Sequence, residues 1–167
     1  MNKEIVYLGM GCFWHPQKLF GGIKGVLKTE VGFMGGDESK KIVSYEDICS
    51  GETGHAEVVK IEFDDTKISF FDLLDLFWKN HDATQLNKQG PDFGEQYRSA
   101  IFYTSEKQRK EAEESRRKVQ KIIGNNRKIQ TEIKNAGKFY KAEEYHQDYL
   151  NKNPFRACYV GSTFRAF

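Results

Sequence analysis

The sequence predicts an α+β protein: a two-layer sandwich of the ferredoxin-like type, with long functional loops and a coil C-terminal tail. Three observations predict it. Apolar or alternating segments of strand length recur along the 167 residues, helical stripes stand between them, and the order strand–helix–strand occurs twice.

The first strand is predicted at residues 5–8, Ile-Val-Tyr-Leu. Behind it lies "GMGCFWHPQKLFGG", in which Phe13, Trp14, Leu19 and Phe20 fall on one helical face and Pro16 comes early enough to be tolerated. Residues 26–33 and 58–63 form the next two strands, the second alternating as "EVVKIEF". Phe70, Leu73, Leu74, Phe77 and Trp78 then make a helical stripe, with Ser69 as N-cap and Asp72 placed to complete a capping box. A strand at residues 99–103 is followed by a helix beginning after Ser105, with Gln108 at the matching capping position. The charges of "KEAEESRRKVQKII" leave that helix a thin apolar stripe, so it belongs on the surface. A last strand is expected at residues 128–133, then a short helix and coil. Residues 34–57 and 80–100 are Gly-punctuated and polar, too long and irregular to be plain connections, and so mark functional loops.

The length fits a single domain over residues 1–167, with 151–167 expected as a mobile tail. No apolar run approaches the roughly 18 residues of a membrane span. The N-terminal residues show no basic stretch leading into an apolar segment, which makes the cytoplasm the expected address. A net charge of +2 with mixed signs gives no footprint for nucleic acid, and the strands lack the basic-Gly-aromatic pattern of an RNA-binding sheet. Three cysteines do not make a disulfide framework, and Cys and His are scattered singly, without a spacing that would grip a metal.

Cys12 is the residue with chemical promise. At a strand-to-helix turn, unpaired N–H groups and the helix dipole are expected to lower its pKa from about 8.5. A small inert thiol packed under aromatics fits the same stretch. With His15, His55, His81 and His146 in the chain, a Cys-His acyl-transfer site is a third reading. Taken singly, Phe13 and Trp14 fit a core, Tyr45 a loop anchor, and Glu57 a solvated strand start. The residues alone leave these readings open.

Four motifs in order, "GCFW", "CSGETGHAEVVKIEFD", "FWKNHDATQLNKQGPDFGEQYRSAIFY" and "EYHQDYLNKNP", resemble the peptide methionine sulfoxide reductases of the A type from about residue 5 to 158. The resemblance implies a monomeric enzyme that reduces methionine-S-sulfoxide, protein-bound or free, with no metal or bound cofactor. It implies that the Cys12 thiolate attacks the sulfoxide sulfur and becomes a sulfenic acid. Cys158 then resolves it to a disulfide, which thioredoxin or a dithiol reduces. Phe13 and Trp14 match the aromatic wall around the S-methyl group, Glu57 the acid, Tyr45 and Tyr97 the hydroxyls that hold the sulfoxide oxygen, and Asp92 a substrate-binding carboxylate. His55 and His81 are expected to be structural, while for His146 a surface or hydrogen-bonding place and a functional one stand equal. Two departures stand out. His15-Pro16-Gln17 replaces the usual Gly-x-Glu, and the tail carries one cysteine where many members carry two. Cys49, beside Ile48, is expected to be a fixed, buried thiol outside recycling.

Overall fold

The computed structural model describes residues 1–165. Along the chain, β1 (Lys3–Met10) leads into α1 (Trp14–Gly21) and β2 (Val26–Met34). The short α2 (Tyr45–Cys49) precedes β3 (Ala56–Asp64) and α3 (Phe70–Lys79). A small ribbon of β4 (Lys88–Gln89) and β5 (Asp92–Phe93) comes before β6 (Ser99–Tyr103) and α4 (Glu106–Ile123). After these come β7 (Glu132–Asn135), β8 (Tyr140–Lys141) and α5 (Tyr149–Lys152).

Six strands form one sheet in the order β7-β6-β1-β3-β2-β8. Each of the four inner strands is antiparallel to its inner neighbours, with Val6 opposite Ile61 and Leu8 opposite Ile101. β7 runs parallel to β6, so the sheet is mixed, and α4 supplies the crossover that a parallel pair needs. The architecture is therefore mixed α/β, wider than the sandwich predicted from the sequence.

Strand alternation decides which residues meet the helices. Val6, Leu8, Val31, Phe33, Val59, Ile61 and Phe63 face Phe20 of α1, Leu73, Phe77 and Trp78 of α3, and Ala112 and Val119 of α4. The opposite face carries a smaller cluster of Met34, Ala56, Val58, Ala100 and Phe102, with Tyr7 and Phe139 packed against it. Ser69 and Asp72 form the reciprocal cap expected of α3. At α4 the Ser105 side chain accepts the Gln108 N–H as expected. The Gln108 side chain turns instead to β1, donating to the Ile5 carbonyl.

The strand expected at residues 128–133 starts later, at Glu132. Gln120 explains the delay: its side chain donates to the Gly124 and Arg127 carbonyls and accepts the Ile129 N–H. Those backbone groups are thus satisfied outside any ladder. The C-terminal coil is fastened beyond Cys158. Fully buried Thr163 donates its N–H to the Trp78 carbonyl at 3.0 Å and its hydroxyl to the His81 carbonyl at 2.9 Å. The same hydroxyl accepts the Ala83 N–H at 3.1 Å.

Candidate active site

β1 ends at Met10, and Gly11 turns the chain with φ of 85°. A Cβ at Gly11 would stand 2.8 Å from the Gln89 side chain, so glycine is required on two counts. The turn sets Cys12 just ahead of α1. The Trp14 N–H favours negative charge on Cys12, and the His15 N–H favours it on Cys158. Both thiols are free, with their sulfurs 3.4 Å apart.

This contact reverses one expectation. The Cys12 thiol is pushed up rather than down, first by its hydrogen bond to Cys158, then by burial and by Glu57. The Trp14 N–H works in the opposite direction and is outweighed. Cys158 is pulled down by the same contact. Two touching thiolates repel, so the pair holds at most one negative charge, and these shifts favour it on Cys158.

Glu57 lies on β3 opposite Phe33, on the face that carries Val59 and Ile61. It is 2% exposed and accepts two hydrogen bonds at 3.2 Å, from the Phe13 N–H and from Gln96 Nε2. Burial dominates and raises its pKa to about 8, despite both donors. At neutral pH the carboxyl keeps its proton.

Tyr45 opens α2, whose cap is a reciprocal pair between Ser44 and Asp47. Tyr97 ends the 3₁₀ turn Glu95–Tyr97. Burial and then Glu57 raise both phenols, Tyr97 to about 12, so both stay protonated donors. Asp92, on β5, is also raised by burial. Phe13 is buried against Phe33 and the His146 ring, with centroids 5.6 and 5.3 Å away. Trp14 stacks on Tyr149 at 3.7 Å and donates its Nε1–H to His146 Nδ1 at 3.1 Å.

All eight residues singled out from the sequence line one cavity of about 320 Å³, closed on the tail side by Ala157 and Tyr159. A larger cleft of about 580 Å³, lined by Arg116, Arg117, Lys121 and Lys128, contains no cysteine, carboxylate or histidine. Among the described residues no group of His, Cys, Asp or Glu could hold a metal ion. Among the same residues no helix is long and apolar enough to cross a membrane.

Cys49 is exposed, not buried. In the five-residue α2 the buried position goes to Ile48, and the neighbouring side chain necessarily points elsewhere. Its sulfur lies 4.0 Å from Gln96 Nε2. His81 is structural as expected, with Nδ1–H donating to the Phe77 carbonyl and Nε2 accepting from Ser99. His55 is buried against Tyr140. His146 resolves as a buried hydrogen-bonding residue beneath Trp14, Phe13 and Tyr45.

Several supports were not found from the sequence. Arg98 donates to the carbonyls of Gly54, Glu95 and Gly35, tying together three loops around the site. Gln147 exchanges hydrogen bonds with both backbone groups of Val31, and Gln17 accepts the Asp148 N–H. The only signal was their position inside or beside motifs already noticed. The Gly90–Tyr159 contact is similar: a Cβ at Gly90 would come within 2.4 Å of the Tyr159 ring, so the tail sits directly on the β4–β5 ribbon.

A family model described as peptide methionine sulfoxide reductase matches residues 4–166. Peptide methionine sulfoxide reductase MsrA of Methanothermobacter thermautotrophicus is 53% identical over 157 residues, covering 94% of this chain and 92% of the relative. Among solved structures, Mxr1 from Saccharomyces cerevisiae in reduced form is similar with a TM-score of 0.88 and 36% identity, over 93% of this chain and 88% of that one. Mxr1 in complex with Trx2 is similar in fold, with a TM-score of 0.62 at 22% identity, over 95% of this chain and 87% of that one. With the match running through nearly every element from β1 to the tail, the chain belongs to the peptide methionine sulfoxide reductase family.

Proposed function

We propose that this chain reduces methionine-S-sulfoxide, free or within proteins, to methionine. The observation that carries the reading is the Cys12–Cys158 sulfur pair, 3.4 Å apart, in one cavity with a carboxyl that holds its proton at neutral pH. The substrate's S-methyl group rests against Phe13 and Trp14, where sulfur–aromatic contact is favourable. Its oxygen faces Glu57, Tyr45 and Tyr97, and Asp92 holds its polar part.

The pair's remaining proton passes from Cys12 to Cys158, and the freed Cys12 thiolate attacks the sulfoxide sulfur. Glu57 gives its proton to the oxygen as the S–O bond weakens, and the tyrosine hydroxyls stabilise the developing charge. The hydroxyl passes from the substrate sulfur to Cys12 Sγ as the bond between the two sulfurs breaks, so methionine leaves and Cys12 is left as a sulfenic acid. Cys158 attacks that sulfur, the hydroxyl departs as water, and a Cys12–Cys158 disulfide remains. Thioredoxin or a small dithiol reopens it. The complex that yeast Mxr1 forms with Trx2 supports a protein reductant.

We assign the whole chain to one catalytic domain, acting as a cytoplasmic monomer without a bound cofactor, with the loop around Cys158 as the part of the tail that moves during recycling. The inner strand order β6-β1-β3-β2, with α1, α3 and α4 on one face, supports a ferredoxin-like core widened by β7 and β8. The deciding experiment is a first turnover by reduced protein with each epimer of a methyl sulfoxide and no added reductant. One equivalent of sulfide from the S epimer alone is expected. Consumption of neither epimer would refute the reading.

A further inference from the structure

Cys158 stands between two cavities of opposite character. On one side is the site described above, where Asp92 and Glu57 share the lining with Cys12. On the other is a cleft of about 420 Å³ that reaches Cys158 but not Cys12, lined by His15, Lys18 and Arg156 among apolar side chains. No carboxylate lines this second cleft among the described residues. The Lys18 and Arg156 side chains are exposed, so their charges are available to a ligand.

The two sides suit different molecules. A sulfoxide is neutral and can share a cavity with Asp92. A thiol carrying carboxylates would be repelled by Asp92, which already opposes negative charge on Cys158. Entering from the second cleft, the same thiol meets cations and reaches the Cys158 sulfur without displacing whatever occupies the first. We propose that the His15–Lys18–Arg156 cleft admits a small reducing thiol that bears carboxylates, a peptide thiol of the glutathione kind, and delivers it to Cys158. This rests on the recycling step proposed above.

The incoming thiolate attacks Cys158 Sγ and forms a mixed disulfide. The Cys12–Cys158 bond breaks, and its electron pair leaves on Cys12, where the Trp14 N–H receives it. A second thiolate attacks the small-molecule sulfur of the mixed disulfide, giving the oxidised thiol dimer and freeing Cys158. Two small thiols are oxidised, one enzyme disulfide is reduced, and their two protons end on Cys12 and Cys158.

The test uses the full chain with Cys49→Ser, its Cys12–Cys158 disulfide formed by diamide so that no sulfoxide is needed. Reduction is followed by stopped flow with glutathione and with glutathione diethyl ester, which has the same thiol with its carboxylates masked. Glutathione is expected to be faster by on the order of tenfold at low ionic strength, with the advantage collapsing in high salt. Lys18→Glu with Arg156→Glu, both at exposed positions, should invert the preference, because the ester keeps its ammonium group and is then the favoured thiol. Equal rates for the two thiols in the unreversed protein would overturn the proposal. So would a charge reversal that slows thioredoxin while the glutathione-to-ester ratio keeps its unreversed value, because the cleft would then serve a protein partner. The first-turnover assay, which needs no thiol, separately reports failure of the sulfoxide reading.

Discussion

The Glu57 carboxyl accepts the Phe13 N–H at 3.2 Å, which fastens the buried acid to the residue directly after Cys12. Acid and thiol are thus placed by one short piece of backbone, and a shift of either is felt by the other. The fold-defining β3 ladder positions the acid, and the entry into α1 positions the sulfur.

Glu57→Gln keeps an acceptor for the Phe13 N–H but has no proton to give. First-turnover methionine formation is expected to fall by about 10²–10⁴-fold. The wild-type group is protonated below its pKa of about 8 and loses its proton above it. The ratio of wild-type to variant rate should therefore be largest below pH 8 and shrink as pH rises through it. A ratio independent of pH would remove Glu57 as the acid.

Tyr45 and Tyr97 offer two hydroxyls to one cavity. Each single Phe variant should lose little, because the remaining hydroxyl still reaches the oxygen. The double variant should cost more than the two single losses combined. Strict additivity in the free energies of kcat/KM would show that the hydroxyls act on separate groups.

Cys158→Ser is expected to yield one equivalent of methionine per enzyme and then stop under thioredoxin-driven turnover. Cys49→Ser should leave both the burst and the turnover intact, since its exposed sulfur does not line the cavity. Peptide mapping after a single turnover decides the matter: a Cys12–Cys49 crosslink in the unmutated protein would displace Cys158 from its role.

His146→Phe retains an aromatic surface but deletes the acceptor for Trp14 Nε1–H. An unmade bond of this kind costs about 1–3 kcal/mol. If the bond serves to hold Trp14 against the substrate, KM should rise by about tenfold with kcat nearly unchanged. An equal fall in kcat with KM fixed would place His146 in the chemical step instead.

His81 is fully enclosed, and burial lowers its pKa from 6.5 to about 4. The unfolded chain binds the proton more readily, so stability is fully present above pH 6.5 and drains away as pH falls towards 4. The loss attributable to this group is about 3 kcal/mol across that window. Urea midpoints of wild type and His81→Asn should converge as the pH is lowered; parallel curves would mean that the buried ring does not govern the slope.

Periodic features were legible in the sequence, and so was the family's motif set. The alternation of β3 and the stripe of Phe70, Leu73, Phe77 and Trp78 translate directly into sheet and helix, because burial on one face imposes those periods. Three kinds of feature were not legible. β8 is two residues long and has no period to read. The bond from Trp14 to His146 joins residues 132 apart, and nothing local in the chain signals it. The Cys12 pKa was misjudged because the helix N-terminus can be seen in sequence, whereas a neighbouring sulfur 146 residues away cannot. Cys49 was placed inside on the strength of Ile48, although adjacent residues on a helix point in different directions.

The bonds that Thr163 makes to Trp78, His81 and Ala83 have a kinetic consequence. With α5 at one end and Thr163 at the other, Cys158 rides on a loop whose two ends are held. It therefore meets Cys12 as a neighbour and not as a diffusing reagent, at an effective concentration in the millimolar range or above. In the proposed cycle, capture of the sulfenic acid is a unimolecular event, while over-oxidation requires a collision with a second molecule of oxidant. Oxidant far below that effective concentration is outrun. The anchored tail thus works as a clock that closes the vulnerable interval before a second oxidant arrives.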